Sequence, residues 1–93
     1  MHYLYILYSE HVDKFYVGET TEVEFRLAQH NNHCFKHNFA KIASDWKIQL
    51  SHKCENKNEA RFLEKFIKRM KSTKFIRKII ANPDILEDIL KKR

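Results

Sequence analysis

The chain has 93 residues, of which 43% are hydrophobic and 13% aromatic, and it carries a formal net charge of +6. This length suits one domain with one modest core, over residues 1–93, and the apolar content excludes general disorder. No apolar run approaches the roughly 20 residues of a membrane span, and the first residues lack the basic segment of a secretory signal. We therefore expect a soluble, cytoplasmic protein, in which Cys34 and Cys54 are free thiols.

The positive charge lies mainly in the C-terminal part of the chain. Residues 1–55 carry six Lys or Arg against seven Asp or Glu, whereas residues 56–93 carry twelve against five. A solvated helix face normally mixes both signs, so the one-signed run at residues 65–78 favours a polyanionic partner such as nucleic acid, with a solvated basic surface as the alternative. Its basic residues are Lys65, Lys68, Arg69, Lys71, Lys74, Arg77 and Lys78.

Two short apolar runs near the start predict a pair of antiparallel strands. Residues 2–8 and 14–18 are rich in β-branched and aromatic side chains, and the polar SEHVDK between them is typical of a hairpin loop. Tyr3 and Tyr5 share one face of the first strand, a pattern that by itself indicates only an amphipathic strand. Gly18 is the only glycine of the chain and ends the second strand, where it allows a positive φ or the close approach of another group.

A first helix is predicted from about residue 22 to about residue 31. The Thr21-x-x-Glu24 spacing is that of a capping box. One face of this helix includes Arg26 and His30, one turn apart, where apolar side chains would be usual, so we expect both to face a cleft beside the core. The residues of that face are Val23, Arg26, Leu27 and His30.

The rest of the chain predicts one more strand and three more helices. Residues 33–45 show no clean period and are interpreted as a long basic loop, whereas residues 46–53 alternate in polarity as a strand does. Residues 56–59, beginning with Asn56, offer the chemistry that starts a helix, and the apolar stripe that follows, which includes Met70, predicts a helix at residues 58–70. A second stripe predicts a helix at residues 73–81, and Asn82-Pro83 predicts a cap followed by the first position of a fourth helix. The order β-β-α-β-α-α-α indicates an α+β fold with a small three-stranded antiparallel sheet flanked by helices.

Several of these residues form an ordered set. Tyr3-Leu4-Tyr5 and Tyr16-Val17-Gly18 lie in the two strands of the hairpin, and Arg26, His30 and Glu64 follow along the chain. This arrangement resembles the GIY-YIG nuclease family over most of the chain, with the two triplets in the places of Gly-Ile-Tyr and Tyr-Ile-Gly. The segments YILYS, FYVGET, RLAQH and DWKIQL are most similar to small stand-alone bacterial members related to the N-terminal nuclease domain of the UvrC excinuclease.

The resemblance implies an endonuclease that hydrolyses DNA phosphodiester bonds with one divalent ion, Mg²⁺ or Mn²⁺, and no organic cofactor. Glu64 would be the metal ligand, and Arg26 would hold the scissile phosphate. Tyr5 would activate or position water, which requires Arg26, the metal or a histidine to lower its pKa from about 10. The implied catalytic residues are Tyr5, Tyr16, Arg26, His30 and Glu64, with Gly18 in a structural role. The alternatives are that Arg26 and His30 form a surface pair and that Glu64 only pairs with Lys68, one helical turn away.

The resemblance leaves the choice of substrate open. The chain would have no second domain to select a site, so specificity would come from DNA structure, as in repair or recombination, or from a partner protein. Tyr3 and Glu19 depart from the family pattern, and they support an alternative in which the chain is a non-catalytic nucleic-acid-binding module on the same scaffold.

The loop at residues 33–41 carries a second candidate constellation. Its histidines and Cys34, together with His30, offer four metal-binding groups within eight residues, but their spacing fits no standard zinc site. Its basic and aromatic side chains fit contacts to nucleic acid better, so Lys36 and Lys41 are predicted to bind DNA. A zinc-stabilised interaction domain stays as a third hypothesis.

Overall fold

The computed structural model describes residues 1–31 and 43–93, and its elements follow the predicted order. The α+β prediction is confirmed, and the predicted boundaries of the strands and of the first three helices lie within two residues of the observed ones. The predicted loop at residues 33–45 falls largely outside the described residues. The elements are β1 (His2–Ser9), β2 (Lys14–Thr20), α1 (Val23–Asn31), β3 (Lys47–Cys54), α2 (Lys57–Met70), α3 (Thr73–Ala81) and α4 (Asp84–Lys91).

The three strands form an antiparallel sheet in the order β2-β1-β3. Tyr5 in the central strand pairs with Gly18 on one side and Ser51 on the other. Within the described sheet β2 is an edge strand, so one side of its backbone has no neighbouring strand. This placement brings the second tyrosine motif to an accessible border of the fold.

The sheet separates two apolar clusters. Leu4 and Ile6 pack with the buried faces of α2, α3 and α4, whereas Tyr5 and Leu7 pack with Trp46 on the other face. This division follows from the alternation of side chains along β1, because successive residues of a strand point to opposite faces. The tyrosine face of the sheet is therefore distinct from the face that carries the larger core.

One prediction about β3 is wrong in detail. The period-two pattern placed Ile48 and Leu50 on one face, but Ile48 packs in the cluster of Tyr5 and Leu50 in the cluster of Leu4. The pairing of β1 with β3 shifts register between Ile6 and Leu7, and this bulge leaves one extra residue on β3. The bulge directs the two side chains to opposite faces.

The helix ends confirm one prediction and differ from two others. Asn56 caps α2 as its position predicted, with its side chain accepting a hydrogen bond from the Glu59 N–H. Asn82 instead closes α3 through its own N–H, and Pro83 occupies the N-cap position of α4 rather than its first helical position. Met70 was predicted to lie in the buried stripe of α2, but it is exposed because α2 ends there.

None of the helices in residues 1–31 and 43–93 is long and apolar enough to cross a membrane.

Candidate active site

Three aromatic side chains from distant parts of the sequence meet on the tyrosine face of the sheet. The hydroxyl oxygen of Tyr5 lies 3.0 Å from Nε2 of His30 in a buried hydrogen bond. The ring of Tyr16 lies 4.4 Å from the His30 ring and 6.3 Å from the Tyr5 ring, centroid to centroid. Tyr5 and His30 are almost fully buried, whereas Tyr16 is half-buried at the sheet edge.

The backbone accounts for this convergence. Tyr5 and Tyr16 lie on neighbouring antiparallel strands and project from the same face, because Tyr16 pairs with Leu7, two residues after Tyr5. His30 lies at the end of α1, which the short connection after β2 places over that face. The interpretation of Arg26 and His30 as an exposed surface pair is thereby wrong, since His30 is buried.

Gly18 leaves the space that the Tyr5 phenol occupies. A Cβ atom at Gly18 would lie 2.6 Å from the Tyr5 hydroxyl oxygen and 2.7 Å from the ring carbon that bears it. Gly18 has no positive φ, so its backbone conformation does not require glycine. Of the two roles predicted for it, the close approach of another group is the one observed.

Burial raises the pKa of the Tyr5 phenol well above its usual range. The nearby phenol of Tyr16 and the carboxylates of Glu64 and Glu19 act in the same direction, and the positive charge of Arg26 opposes them without prevailing. Arg26 acts to lower this pKa, as expected, but its effect is smaller than that of burial, so the pKa stays raised. Tyr5 is a neutral phenol at neutral pH.

Burial, and after it the positive charge of Arg26, lowers the pKa of His30 to about 4. The imidazole is consequently neutral at pH 7 and keeps one ring nitrogen that can accept a proton. With Nε2 at 3.0 Å from the Tyr5 oxygen, a neutral His30 holds the neutral phenol in place through a hydrogen bond.

Arg26 and Glu64 complete the group from two different helices. Arg26 lies half-buried on α1 and acts electrostatically on both Tyr5 and His30. Glu64 lies on α2, which packs mainly on the opposite face of the sheet, yet its charge also acts on Tyr5. The other four predicted catalytic residues thus act on Tyr5, by direct contact or through their charge.

Lys68 connects α2 to the tyrosine face. Its Nζ lies 2.7 Å from Oε2 of Glu64, one helical turn away, and 5.7 Å from the centre of the Tyr16 ring. The pairing of Glu64 with Lys68, which the sequence offered as an alternative to metal binding, is present. The contact of Lys68 with the Tyr16 ring shows that the side of α2 bearing Glu64 lies beside Tyr16 at the edge of the sheet.

A family model described as the GIY-YIG catalytic domain matches residues 1–78. The chain belongs to the GIY-YIG family. GIY-YIG proteins are nucleases, generally dependent on divalent metal ions, so this chain is assigned in general terms to nucleases that act on DNA. Neither a search of curated proteins nor a search of solved structures gave a match for this chain. The relation to the UvrC excinuclease accordingly stays a prediction.

The donor set of this GIY-YIG domain fits a hard divalent cation. Within the described residues there is no group of three or more His, Cys, Asp or Glu side chains that could hold a metal ion. Mg²⁺ does not need such a group, because it retains several waters and binds through one or two carboxylates together with substrate phosphate oxygens. Glu64 already accepts a cation, the Lys68 ammonium, and it is only partly exposed.

Glu19, which departs from the family pattern, has a partner in the structure. Its carboxylate forms an ion pair with His2 across the first two strands. The carboxylate still contributes to the raised pKa of Tyr5. The sequence does not reveal this pairing, because His2 and Glu19 are 17 residues apart.

Trp46 was not predicted to belong to the site. Its backbone N–H and carbonyl both bind the Asn31 side chain, at 2.7 and 3.1 Å, and its ring meets the edge of the Tyr16 ring. These contacts tie the end of α1 to the start of β3. No local sequence pattern predicts the contacts between Asn31 and Trp46, because these residues are 15 positions apart.

The predicted DNA-binding residues fall into two groups. The basic residues of the segment 65–78 are all exposed. Lys36 and Lys41 lie outside the described residues, as do most members of the proposed zinc constellation. Cys54 is a buried free thiol, as predicted.

Proposed function

We propose that this chain is a divalent-metal-dependent endonuclease that hydrolyses DNA phosphodiester bonds at the site around Tyr5. The observation that carries the proposal is the placement of one phenol within reach of a neutral imidazole, a guanidinium and a carboxylate. Those groups are supplied by His30, Arg26 and Glu64. Together with the phenol they provide a group that positions water, an anion-binding group and a metal ligand, three elements that support phosphodiester hydrolysis.

Arg26 is proposed to bind the scissile phosphate. A guanidinium is charged at every accessible pH and offers a planar set of donors that matches two phosphate oxygens. Partial burial strengthens its attraction for an anion, since water screens it less than at an open surface. Arg26 would also offset the charge that accumulates on the phosphate oxygens during attack.

Tyr5 and His30 are proposed to position the attacking water. The raised pKa of the phenol and the lowered pKa of the imidazole both oppose transfer of a proton from Tyr5 to His30, so the two side chains stay neutral and joined by a hydrogen bond. Held in this way, the phenol oxygen can accept a hydrogen bond from the water. Tyr16 lies against the same imidazole and would order the water or the phosphate. This role requires no preformed phenolate.

Glu64 is proposed to hold one Mg²⁺ or Mn²⁺, which when bound would polarise the phosphate oxygens and lower the pKa of water. Lys68 would have to leave the carboxylate, or share it, when the metal binds. No organic cofactor is part of this proposal.

Recognition of DNA is proposed to rest on phosphate contacts from the lysines of residues 65–78, from Arg69, and from Lys36 and Lys41. Such contacts provide affinity and little sequence preference. Specificity would then come from DNA structure or from a partner protein, as in repair or recombination. We further propose that residues 1–93 form one domain, since Leu86 of α4 is buried in the same cluster as Leu4, and that the protein is cytoplasmic.

A non-catalytic DNA-binding module is the second candidate. It is favoured by the ion pair between Lys68 and Glu64, which satisfies the carboxylate without metal, and by the additional negative charge of Glu19 near Tyr5.

Nicking of supercoiled plasmid in Mg²⁺ or Mn²⁺ distinguishes the two candidates. We expect the wild-type protein to nick, and Glu64→Gln to bind DNA without nicking it. Glu87→Gln is the matched control, because Glu87 is an exposed carboxylate on α4 that pairs with His52 away from the tyrosine face. DNA binding without any cleavage by the wild-type protein would favour the module, and equal nicking by wild type and Glu64→Gln would exclude Glu64 as the essential ligand.

A further inference from the structure

A groove between β2 and the start of α3 borders the candidate active site. Its volume is about 340 Å³, and its walls include the ring of Tyr16. We call it the hairpin groove, and its charged and apolar walls are formed chiefly by Lys14, Lys68, Lys71, Val17, Ile67 and Ile76. The role proposed above for Tyr16 and Lys68 leaves most of this groove without an assigned function.

The charge of the hairpin groove is complementary to a phosphate. Three lysines line it against one acid, Asp13, and that carboxylate is held at the rim by the Tyr8 hydroxyl and lies 3.9 Å from the Arg77 guanidinium. Lys14 and Lys71 are exposed at the two ends of elements, so their long side chains can move to a ligand. The groove therefore presents a net positive charge beside the active site.

The floor of the hairpin groove is apolar and suits a base or a sugar. Val17 and Ile67 are nearly fully buried in the core and expose only their outer edges, while Ile76 is half-buried. Cavities that bind small ligands have volumes of roughly 300–1,000 Å³, so the groove holds about one nucleotide and is too small for a duplex. Phe15 and Tyr16 also line the groove, and aromatic side chains in a positively charged groove are the arrangement with which proteins bind single-stranded nucleic acid.

From this combination we propose that the hairpin groove binds one unpaired nucleotide next to the phosphate to be cleaved, so that the enzyme acts where duplex DNA adjoins a single strand. The proposal rests on the proposed nuclease function for the position of the scissile phosphate. Lys68 belongs both to the groove and to the Glu64 pair, which makes the two sites contiguous. Removing a base from a duplex stack has an energetic cost that is smallest for a base already unpaired, so the groove selects junctions over continuous duplex.

The test compares binding to two fluorescent DNA probes in EDTA, where no cleavage occurs. One probe is a blunt duplex, and the other has the same number of nucleotides with a single-stranded extension. We expect the wild-type protein to bind the extended probe roughly tenfold more tightly, the effect of one stacked base with a phosphate contact.

Two variants that change the hairpin groove should abolish this preference. Lys71→Glu reverses a charge of the groove, and Thr73→Trp fills it from an exposed position without altering charge. Lys78→Glu is the matched control, since it makes the same charge change at an exposed position of α3 outside the groove. It should weaken binding to both probes equally and keep the tenfold ratio.

Three results would overturn the proposal. The first is that the wild-type protein binds both probes with equal affinity. The second is that Lys71→Glu and Thr73→Trp keep the preference for the extended probe. The third is that Lys78→Glu loses this preference to the same extent as the two groove variants. Equally effective displacement of the extended probe by polyglutamate of the same total charge would also overturn it, because the groove would then accept any acidic chain. Since binding is measured without metal, a failed nuclease assay leaves this result standing, and a protein that nicks plasmid without the preference refutes the groove alone.

Discussion

The hydroxyl oxygen of Tyr5 and Nε2 of His30 lie 3.0 Å apart in the interior, although 25 residues separate them in sequence. We expect Tyr5→Phe to reduce nicking by about 10²-fold, the effect of a misplaced reacting group. The free energy of unfolding should fall by only about 1 kcal/mol, the value of one hydrogen bond. Tyr8→Phe is the matched control, because that hydroxyl binds Asp13 on the surface, and an equal loss of nicking there would contradict the assignment.

The low pKa of His30 makes stability depend on pH in a defined direction. An unfolded histidine takes up its proton near pH 6.5, whereas buried His30 does so near pH 4. Between these values the unfolded state binds more protons, so stability is complete above about pH 6.5 and is lost as the pH falls towards 4, by about 3 kcal/mol in all.

Urea denaturation from pH 4 to 7 measures this contribution. In His30→Asn, the difference in the free energy of unfolding between pH 7 and pH 4 should be smaller by this amount. In His11→Asn, which changes an exposed histidine, that difference should equal the wild-type value. If the free energy of unfolding changes with pH in the same way in wild type and His30→Asn, then His30 binds its proton equally well in the folded and unfolded states.

Much of this fold could be predicted because its signals are local. Alternation along β1 assigned Tyr5 and Leu4 to opposite faces, and the spacing of Arg26 and His30 placed them on one side of α1, as the structure confirms. The site was harder to predict, since the pKa of Tyr5 depends on how deeply the folded chain buries it. Residue types indicated which charges would be near, but not that burial would outweigh Arg26.

The remaining differences arise from contacts between distant residues. The bulge that separates Ile48 from Leu50 depends on how β3 pairs with β1, and the sequence of β3 alone shows only alternation. Trp46 joins the site through Asn31, and Glu19 is paired by His2, across distances that no periodic pattern encodes. These are tertiary effects, which override local propensity wherever packing decides the outcome.

Gly18→Ala should damage the site through Tyr5. The added Cβ would lie 2.6 Å from the phenol oxygen, so the phenol must move away from His30. We expect about a 10²-fold loss of nicking from the misplaced group and a loss of about 1–3 kcal/mol in stability from overpacking.

A double-mutant cycle separates this contact from a general effect of alanine at that position. In a Tyr5→Ala background, Gly18→Ala should cost little stability, because the conflicting ring is absent. The same loss in both backgrounds would show that the contact with Tyr5 is not the reason for the glycine.

Lys68 should compete with the metal for Glu64. Its ammonium lies 2.7 Å from the carboxylate, and exposed pairs of this kind contribute up to about 1 kcal/mol, so Lys68→Met should tighten Mn²⁺ binding by up to about fivefold. Titration calorimetry without DNA measures this directly. Lys65→Met, at a neighbouring exposed lysine, should leave Mn²⁺ affinity closer to that of wild type, and unchanged Mn²⁺ affinity in Glu64→Gln would show that the ion binds elsewhere.

Arg77 and Lys78 are neighbours in the basic segment, but their contacts predict different roles. The Arg77 guanidinium lies 5.1 Å from the Phe15 ring centre and 3.9 Å from Asp13, so it joins α3 to the hairpin. We expect Arg77→Ala to lower the free energy of unfolding by about 0.5–1 kcal/mol with little change in the salt dependence of DNA binding. Lys78→Ala should leave stability unchanged and reduce the slope of log K against log salt by about one, as loss of one phosphate contact does. A similar reduction of the slope in both variants would show that Arg77 leaves the hairpin to bind phosphate.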